Sequence, residues 1–319
     1  MDRSPSEGTP EVHELMHRLE TEIRSRWGPV MDTFPPARYI QLLDAGPDCS
    51  KYNRIPEDLA AGCRGVQHAH GMEALETLHK LVLACLVSQF ALRTRGRAFP
   101  PGVVSLYRRE QDRLLREMSS NPPGFYSLAN DLFLKDLGLA RTLLIPAGVE
   151  FVQLARGVPR SVLWKAGIRQ FVSCLFMFFG RLRGFGPVFE IHMDPRRRGE
   201  LSPDARAFSY RIVADLLAIH KDVKGLLGGS WFYDPALETI TPRLCYLRLV
   251  PVQNGALVAY WQDEDGDSGA LRYSHSRQRL FAQGLYRPKT YLLIWPRADL
   301  MHWAATGRRA EHQESPAPR

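Results

Sequence analysis

Apolar residues recur at helical spacing through much of the first half of the chain. In residues 11–27 they follow the three- and four-residue repeat of an amphipathic helix. The same repeat predicts helices at residues 72–92, 106–118 and 130–139. The segment 72–92 is apolar enough to be mostly buried, which predicts the centre of a helical core.

The pattern changes near Thr142. Short apolar runs at residues 143–146 and 149–152 flank a Pro-Ala-Gly turn and predict two short strands. Residues 161–180 fit two structures, because the length of the apolar run favours a buried helix whereas its aromatic content favours a core strand. Both interpretations remain open from the sequence.

The pattern is clearest in the last third of the chain. Residues 189–194 predict a strand. Ser202, Pro203 and Asp204 combine a capping residue, a first-turn proline and an early carboxylate, which together predict the start of a helix. Gly225 predicts the end of that helix, because glycine readily adopts the left-handed conformation that follows a last turn.

A hairpin is predicted next. Residues 243–251 and 256–261 have the composition of strands, and the Asn-Gly pair between them is a strong turn signal. Residues 274–284 then predict a helix, and residues 290–295 predict a final buried strand.

The resulting order β-α-β-β-α-β predicts an α+β fold, with a mostly antiparallel sheet, helices on one face and a GNAT-like or ferredoxin-like arrangement. A helical region at residues 11–140 precedes the α+β domain at residues 141–305. Residues 1–10 and 306–319 are rich in Ser, Pro, Glu and Arg, and we predict that both are disordered tails.

The chain is basic, with a formal charge of +8 and a pI of about 9.4. Arginine supplies most of this charge, and its planar fork suits phosphate and carboxylate groups. One interpretation is a site for an anionic small molecule, coenzyme A or an acyl carrier protein. The other is an arginine-rich codon preference without a functional consequence. Aromatic and basic residues do not alternate along a stripe, so we predict no nucleic-acid partner.

The cysteines and the apolar runs bear on where the protein works. Five cysteines are widely spaced and form neither a CxxC pair nor a zinc-type cluster, which favours a reducing compartment. They are Cys49, Cys63, Cys85, Cys174 and Cys245. The start of the chain has no apolar core of a signal peptide, and the longest apolar runs are too short to span a bilayer. These features predict a cytoplasmic protein without a transmembrane segment.

His192 and Asp194 form an HxD pair at a predicted strand end. In iron- and 2-oxoglutarate-dependent oxygenases such a pair supplies two ligands of a facial triad, and His275 or His302 would be the third here. A jelly-roll oxygenase should continue in strands, whereas this chain continues into a helix. The alternatives are that His192 is a general base or a polar anchor in a cleft, or that it is structural.

The segment after residue 230 holds the densest set of candidate site residues. Tyr233 and Asp234 follow a Gly-Gly-Ser turn, and Tyr246 and Arg248 would share one face of a strand. With His192, this set predicts either a pocket for a carboxylate or phosphate, or an ion-pair network at a sheet edge. The candidate residues are Trp231, Tyr233, Asp234, Arg243, Tyr246 and Arg248.

Two further segments are candidate anion sites. Ser274, Ser276 and Arg277 lie at a predicted helix start, where backbone N–H groups and hydroxyls attract anions, although an ordinary cap explains them equally. Residues 181–186 fit the loose R-x-x-G-x-G pattern of coenzyme A sites in GNAT enzymes. Pro187 follows, so no helix N-terminus is presented there and a plain turn is the alternative.

Three phrases carry a family resemblance: Gly-Gly-Ser-Trp-Phe-Tyr-Asp-Pro, Pro-Arg-Leu-Cys-Tyr-Leu-Arg and Tyr-Leu-Leu-Ile-Trp-Pro-Arg. Over roughly residues 130–303 the chain resembles a set of bacterial proteins with no established activity. The resemblance implies a shared fold and assigns no residue roles.

Three functions remain open from the sequence. The first is a GNAT-like acyltransferase or other transferase that uses an anionic donor such as acyl-CoA or an acyl carrier protein, with His192, Asp194 and Tyr233 as candidate catalytic residues. The second is the HxD oxygenase. The third is a non-catalytic ligand- or partner-binding protein that presents the helix at residues 72–92. The sequence assigns neither a cofactor nor an oligomeric state.

Overall fold

The computed structural model describes residues 10–45 and 51–314, with side chains up to residue 307. The chain divides into two compact units, one ending at Pro146 and the other beginning at Ala147. Cys49 lies outside the described residues, as do residues 1–9 and 315–319 of the predicted tails. The last helix extends to Glu314, so a helix occupies much of the segment predicted as a C-terminal tail.

The first unit is helical, as the apolar periodicity indicates. Its helices are α1 (Pro10–Trp27), α2 (Pro29–Thr33), α3 (Pro36–Ala45), α4 (Glu57–Ser88), α5 (Phe90–Thr94), α6 (Pro101–Glu117) and α7 (Asp131–Ala140). Helix α4 is longer than the predicted segment and is interrupted at Gly71, whose φ of 86° is outside the helical region. Beyond this break, residues from Ala74 to Val87 are almost all buried inside the unit. This segment therefore does not present the apolar surface that a partner-binding role would need.

A buried histidine connects α4 to the rest of the helical unit. The His79 side chain is fully buried, and its Nδ1–H donates to the carbonyl oxygen of Tyr126 at 2.6 Å. The other ring nitrogen, Nε2, lies 3.7 Å from Sγ of Cys63. Burial lowers the pKa of His79 to about 4 and raises that of Cys63 to about 12, so both side chains are neutral at pH 7.

The second unit combines a sheet with helices. Its strands are β1 (Leu144–Ala147), which crosses the boundary, β2 (Glu150–Ala155), β3 (Val188–Met193), β4 (Gly225–Ser230), β5 (Leu257–Asp263) and β6 (Lys289–Pro296). Its helices are α8 (Gly167–Leu175), α9 (Pro203–Ile219), α10 (Leu237–Ile240), α11 (Tyr246–Gln253), α12 (Gly269–Arg272), α13 (His275–Ala282) and α14 (Arg297–Glu314).

The six strands form one mixed sheet in the order β1-β2-β3-β4-β6-β5. Three neighbouring pairs are antiparallel, namely β2 with β3, β4 with β6 and β6 with β5, whereas β3 and β4 are parallel. Helix α9 connects the two parallel strands, and Ser202 caps it by accepting a hydrogen bond from the Ala205 backbone N–H, as predicted. The α+β class predicted from the sequence is confirmed.

Helical segments pack on both faces of this sheet. On one face, Ile294 of β6 shares a core with Cys174 of α8 and with Phe178, which follows α8 in a π-helical turn at Phe176–Arg181. On the other face, the Trp295 ring packs edge-on against Tyr210 of α9 at 5.1 Å between ring centroids. Because successive side chains of a strand point to opposite faces, Ile294 and Trp295 serve different cores. The ambiguous segment 161–180 is thus helical.

The hairpin prediction is wrong in its first half. Residues 246–253 form helix α11 in place of a strand, and Asn254 follows its last turn. Leu247 and Pro251 are the buried residues of α11, and their four-residue spacing is helical. Tyr246 and Arg248 consequently do not share a strand face.

The strand that the prediction missed is β4. Helix α9 ends at Ile219, and Gly225 opens β4 instead of closing the helix. A side chain at Gly225 would begin 2.2 Å from the Trp295 carbonyl oxygen, so the glycine is required by the close approach of β6. Three glycines give this strand a turn-like composition, which hides it from pattern analysis. β4 takes the place of the strand predicted at residues 243–251, but α10 and α11 lie between β4 and β5, where the predicted order has two consecutive strands.

No helix within residues 10–45 and 51–314 has both the length and the apolar character needed to cross a bilayer.

Candidate functional site

The parallel strands β3 and β4 are inner strands of the sheet and end on the same side of it. This edge, formed by the ends of the strands, carries most of the candidate residues. Ile191 is in register with Gly228, so the residues that follow both strands emerge side by side. Asp194 follows β3, and a 3-10 turn at Trp231–Tyr233 follows β4. The carboxyl ends of adjacent parallel strands commonly form ligand crevices.

His192 and Asp194 occupy different environments at this edge. Asp194 is 1 % exposed and caps the following 3-10 turn by accepting a hydrogen bond from the Arg196 backbone N–H at 3.0 Å. Its carboxylate also pairs with the Arg196 side chain. His192 is partly buried on β3, opposite Phe151 of β2. Asp194 is therefore engaged in local structure.

The residues of the predicted facial triad do not form a metal site. His275 is the first residue of α13 and contacts Gln278, and His302 is exposed on α14. Across the described part of the chain, no three His, Cys, Asp or Glu side chains are grouped so as to hold a metal ion. The oxygenase hypothesis thus lacks its ligand set among these residues.

Tyr233 belongs to a buried ion-pair cluster beneath the edge. Arg206 of α9 donates a hydrogen bond to the Tyr233 hydroxyl at 2.8 Å and pairs with the carboxylate of Glu150 on β2. All three residues are at most 5 % exposed. A buried arginine needs such partners, because an unpaired charge in the interior costs several kcal/mol.

Two more tyrosines surround the same guanidinium. The Tyr210 ring lies 4.7 Å from the Arg206 carbon Cζ, and burial raises the pKa of Tyr210. Burial also raises the pKa of Tyr246, whereas the nearby Arg206 charge opposes this change. Arg206 is held by Glu150 and Tyr233, whereas the buried hydroxyls of Tyr210 and Tyr246 make no hydrogen bond of normal geometry within the described residues. The geometry of the cluster positions Tyr233 and the turn after β4 and does not provide a reaction centre.

The adjacent residue, Asp234, lines an open cavity of about 470 Å³. The cavity lies where β5 ends and β6 begins, beside the turn after β4. Its polar lining comprises Asp234, Asp263, Tyr286, Arg287, Lys289 and Tyr291. Acidic, basic and phenolic groups thus face one volume large enough for a small ligand.

Asp234 has the environment of a functional carboxylate. The residue is 4 % exposed, and its Oδ1 accepts a hydrogen bond from the Ala236 backbone N–H at 3.0 Å. Its buried Oδ2 makes no hydrogen bond of normal geometry within the described residues. Desolvation raises the pKa of Asp234, although the Ala236 N–H and the Lys289 charge partly oppose it. A buried carboxylate of this kind in a cleft is a candidate acid or base.

The charge of Asp234 affects the pKa of both tyrosines of the cavity. Burial and then the charge of Asp234 raise the pKa of both Tyr286 and Tyr291. Tyr286 is 4 % exposed, so its hydroxyl is a neutral donor at physiological pH. The cavity consequently offers the buried carboxylate of Asp234, the second carboxylate of Asp263, neutral phenols and two cations.

The other predicted residues surround the cavity or lie away from it. The Arg277 guanidinium stacks 4.7 Å from the Trp231 ring centroid, and its Nη1 donates to the Thr241 hydroxyl at 3.1 Å. Arg248 pairs with Glu238 on α10, and its charge lowers the pKa of Asp234. Trp231, Arg248 and Arg277 thus support the turn that carries Asp234.

The remaining candidates do not line the cavity. Arg243 is exposed in a 3-10 turn before α11. Ser274 caps α13 by accepting a hydrogen bond from the Arg277 backbone N–H, and Ser276 is exposed. An ordinary cap therefore accounts for the serines at the start of α13.

The R-x-x-G-x-G segment also has a structural explanation. The Arg181 guanidinium donates to the Gly255 carbonyl oxygen at 2.8 Å and pairs with Asp299 at 2.6 Å. No helix begins after Gly186, since β3 starts at Val188. The segment lacks the helix N-terminus that would hold a pyrophosphate.

Sequence reasoning missed Glu150, Arg206, Tyr286 and Lys289. A signal was available for Arg206, because it lies four residues before Tyr210 on the buried face of α9, where a charge requires a partner. No comparable signal marked Tyr286 and Lys289, because only the packing of the start of β6 against β4 brings them to Asp234.

Comparison with known proteins adds no assignment, since no protein-family model, curated protein or solved structure matches the chain. The resemblance of residues 130–303 to a bacterial family stays a prediction.

Proposed function

We propose that the protein is a group transferase that acts on an anionic donor at the cavity beside Asp234. The single observation that supports this proposal is a buried carboxylate with a raised pKa that lines a 470 Å³ cavity together with Arg287 and Lys289. A carboxylate with a raised pKa is a stronger base than an ordinary aspartate. The two cations match the phosphate or carboxylate groups of donors such as acyl-CoA.

In this proposal Asp234 accepts the proton of the acceptor's nucleophile as the nucleophile bonds to the acyl carbon of the donor. The carbon–sulfur bond of an acyl-CoA donor then breaks, and the protonated Asp234 returns the proton to the departing thiolate. Lys289 and Arg287 hold the anionic part of the donor, and the neutral Tyr286 hydroxyl donates to an oxygen on which negative charge develops. The sequence-based hypothesis named His192 and Asp194 as candidate catalytic residues. We assign the catalytic base to Asp234 instead, because Asp194 is engaged with Arg196.

The test is a thermal-shift screen with coenzyme A, acetyl-CoA, long-chain acyl-CoA and nucleotides. A ligand that binds the folded state preferentially raises the melting temperature. We expect a rise with at least one acyl-CoA, and we expect Lys289→Met to reduce it. Arg109→Met is the matched control, because Arg109 is an exposed cation on α6, outside the cavity.

Turnover separates binding from catalysis. Asp234→Asn keeps the acceptor oxygen for the Ala236 N–H but cannot take a proton, so it should retain the ligand-induced shift and lose activity by about a hundredfold or more. No shift with any of these anions would refute the proposed donor class. Full activity in Asp234→Asn would refute the proposed base.

A further inference from the structure

The α8 segment exposes a row of large apolar side chains. Trp164, in the 3-10 turn before α8, is 73 % exposed, and Ile168 and Val172 on α8 are 72 % and 57 % exposed. Phe176 and Phe179 in the following π-helical turn are 69 % and 67 % exposed. We call these five residues the α8 face. From Ile168 onward, their spacing of three or four residues places them along one side of the helical segment. Trp164 precedes the helix, and its ring packs against Phe171 of α8 at 4.6 Å between ring centroids.

The opposite side of the same segment fixes this orientation. Cys174, Met177 and Phe178 are at most 4 % exposed and belong to the core beneath the sheet. The Gln170 side chain also binds the edge strand β5, accepting from the Tyr260 N–H at 2.7 Å and donating to its carbonyl oxygen at 3.0 Å. Rotation of α8 would break these contacts, so its apolar face is held outward.

The chain segment that carries the α8 face has charges of a single sign. Between Glu150 and Glu190 the sequence contains no Asp or Glu. The basic residues of this interval are Arg156, Arg160, Lys165, Arg169, Arg181 and Arg183, and all of them are exposed. Arg181 pairs with Asp299 of α14. Even with this one charge neutralised, the segment is strongly basic.

We propose that the α8 face binds the surface of an anionic phospholipid bilayer. Trp and Phe side chains flanked by Lys and Arg are typical of helices that lie in the plane of the membrane interface. The apolar side chains would enter the boundary between headgroups and acyl chains, and the cations would contact the lipid phosphates. An anionic bilayer is the one partner that presents an apolar layer directly beneath a continuous anionic layer, which matches both features of this segment.

The test is co-sedimentation of the full chain with phosphatidylcholine vesicles, with and without phosphatidylglycerol at about one third of the lipid. We expect binding to the anionic vesicles, weaker binding to pure phosphatidylcholine, and weakening at high salt. Ile168→Ser with Phe176→Ser should lower the affinity at least about tenfold, because each removes a large apolar side chain from the membrane. Lys165→Glu with Arg169→Glu should abolish the preference for anionic vesicles.

Two matched controls lie in the helical unit. Leu92→Ser removes an apolar side chain that is 64 % exposed on α5, and Arg109→Glu reverses an exposed charge on α6. Both should bind vesicles as the unaltered protein does. Circular dichroism and the melting temperature establish that each variant is folded.

Several results would overturn the proposal. They are an absence of vesicle binding, or equal binding by the Ile168→Ser/Phe176→Ser variant and the unaltered protein. Sedimentation velocity adds a third: a dimer that this variant abolishes, without vesicle binding, would assign the α8 face to a second copy of the chain. Asp234→Asn should bind vesicles normally, so this test is independent of the proposed transferase activity.

Discussion

The hydroxyl of Tyr233 occupies the space in which a side chain on Gly228 would begin. A Cβ at Gly228 would lie 2.5 Å from the Tyr233 hydroxyl oxygen and 3.1 Å from its ring carbon Cζ. The same hydroxyl accepts the hydrogen bond from Arg206, which in turn pairs with Glu150. The absence of a side chain in β4 thus makes room for the buried ion pair and sets the position of the turn that carries Asp234.

Gly228→Ala should therefore destabilise the second unit. We expect a loss of about 2–4 kcal/mol, because the added methyl group displaces Tyr233 and leaves Arg206 with fewer partners. Urea unfolding followed by circular dichroism measures it. The neighbouring Gly229→Ala is the control, since its Cβ would meet only the Leu292 side-chain tip at 3.4 Å, and it should cost less than about 0.5 kcal/mol.

A double-mutant cycle identifies the cause of that loss. Tyr233→Phe removes the oxygen that the new methyl group meets first, so the double variant should lose less stability than the sum of the two single variants. Equal stability of Gly228→Ala and Gly229→Ala would contradict the proposed steric conflict.

Gln170 covers the free edge of the sheet. Its side chain satisfies both the N–H and the carbonyl of Tyr260 on β5, which is the last strand in the sheet order. Gln170→Ala should cost about 1–3 kcal/mol by removing these hydrogen bonds. An uncovered edge can also pair with another chain, so light scattering should show association that increases with protein concentration.

The matched control is Gln283→Ala, at an exposed position after α13. It should change neither stability nor association. An unchanged unfolding midpoint in Gln170→Ala would show that the edge is stable without this side chain.

His79 should make the stability of the helical unit depend on pH. Its pKa is lowered to about 4 by burial, below the value of about 6.5 for an unfolded chain, so the unfolded state binds the proton first. Stability is greatest above pH 6.5, falls as the pH drops from about 6.5 to 4, and shows no further histidine-dependent loss below 4. The total loss is roughly 3 kcal/mol.

His79→Gln should remove this part of the pH dependence, which unfolding at a series of pH values measures as a difference from the unaltered protein. His68→Gln, at an exposed position on the same helix, is the control and should leave the curve unchanged. If the free energy of unfolding fell equally with decreasing pH in His79→Gln and in the unaltered protein, the buried imidazole would not be the cause of the loss of stability in acid.

Local patterns determined a large part of the fold. The apolar repeats predicted α1, α6, α7 and the second half of α4, but not α2, α3, α5 or the first half of α4. The strands β1, β2, β3 and β6 lie at or near their predicted positions. Ser202 and the residues after it were sufficient to predict the start of α9. These features depend on residues that are close together in sequence, because caps and periodic burial follow from the geometry of a single helix or strand.

Tertiary structure decided the rest. The strand β4 exists because β6 approaches Gly225 and Tyr233 covers Gly228, and neither contact can be inferred from neighbouring residues. In the same way, Arg206 pairs with Glu150, which lies 56 residues earlier, and Asp234 interacts with Lys289, which lies 55 residues later. The sequence of α8 indicated a buried element, but only the packed sheet determines which of its apolar sides is enclosed. Burial is a property of two surfaces in contact, and the sequence of one segment specifies only one of them.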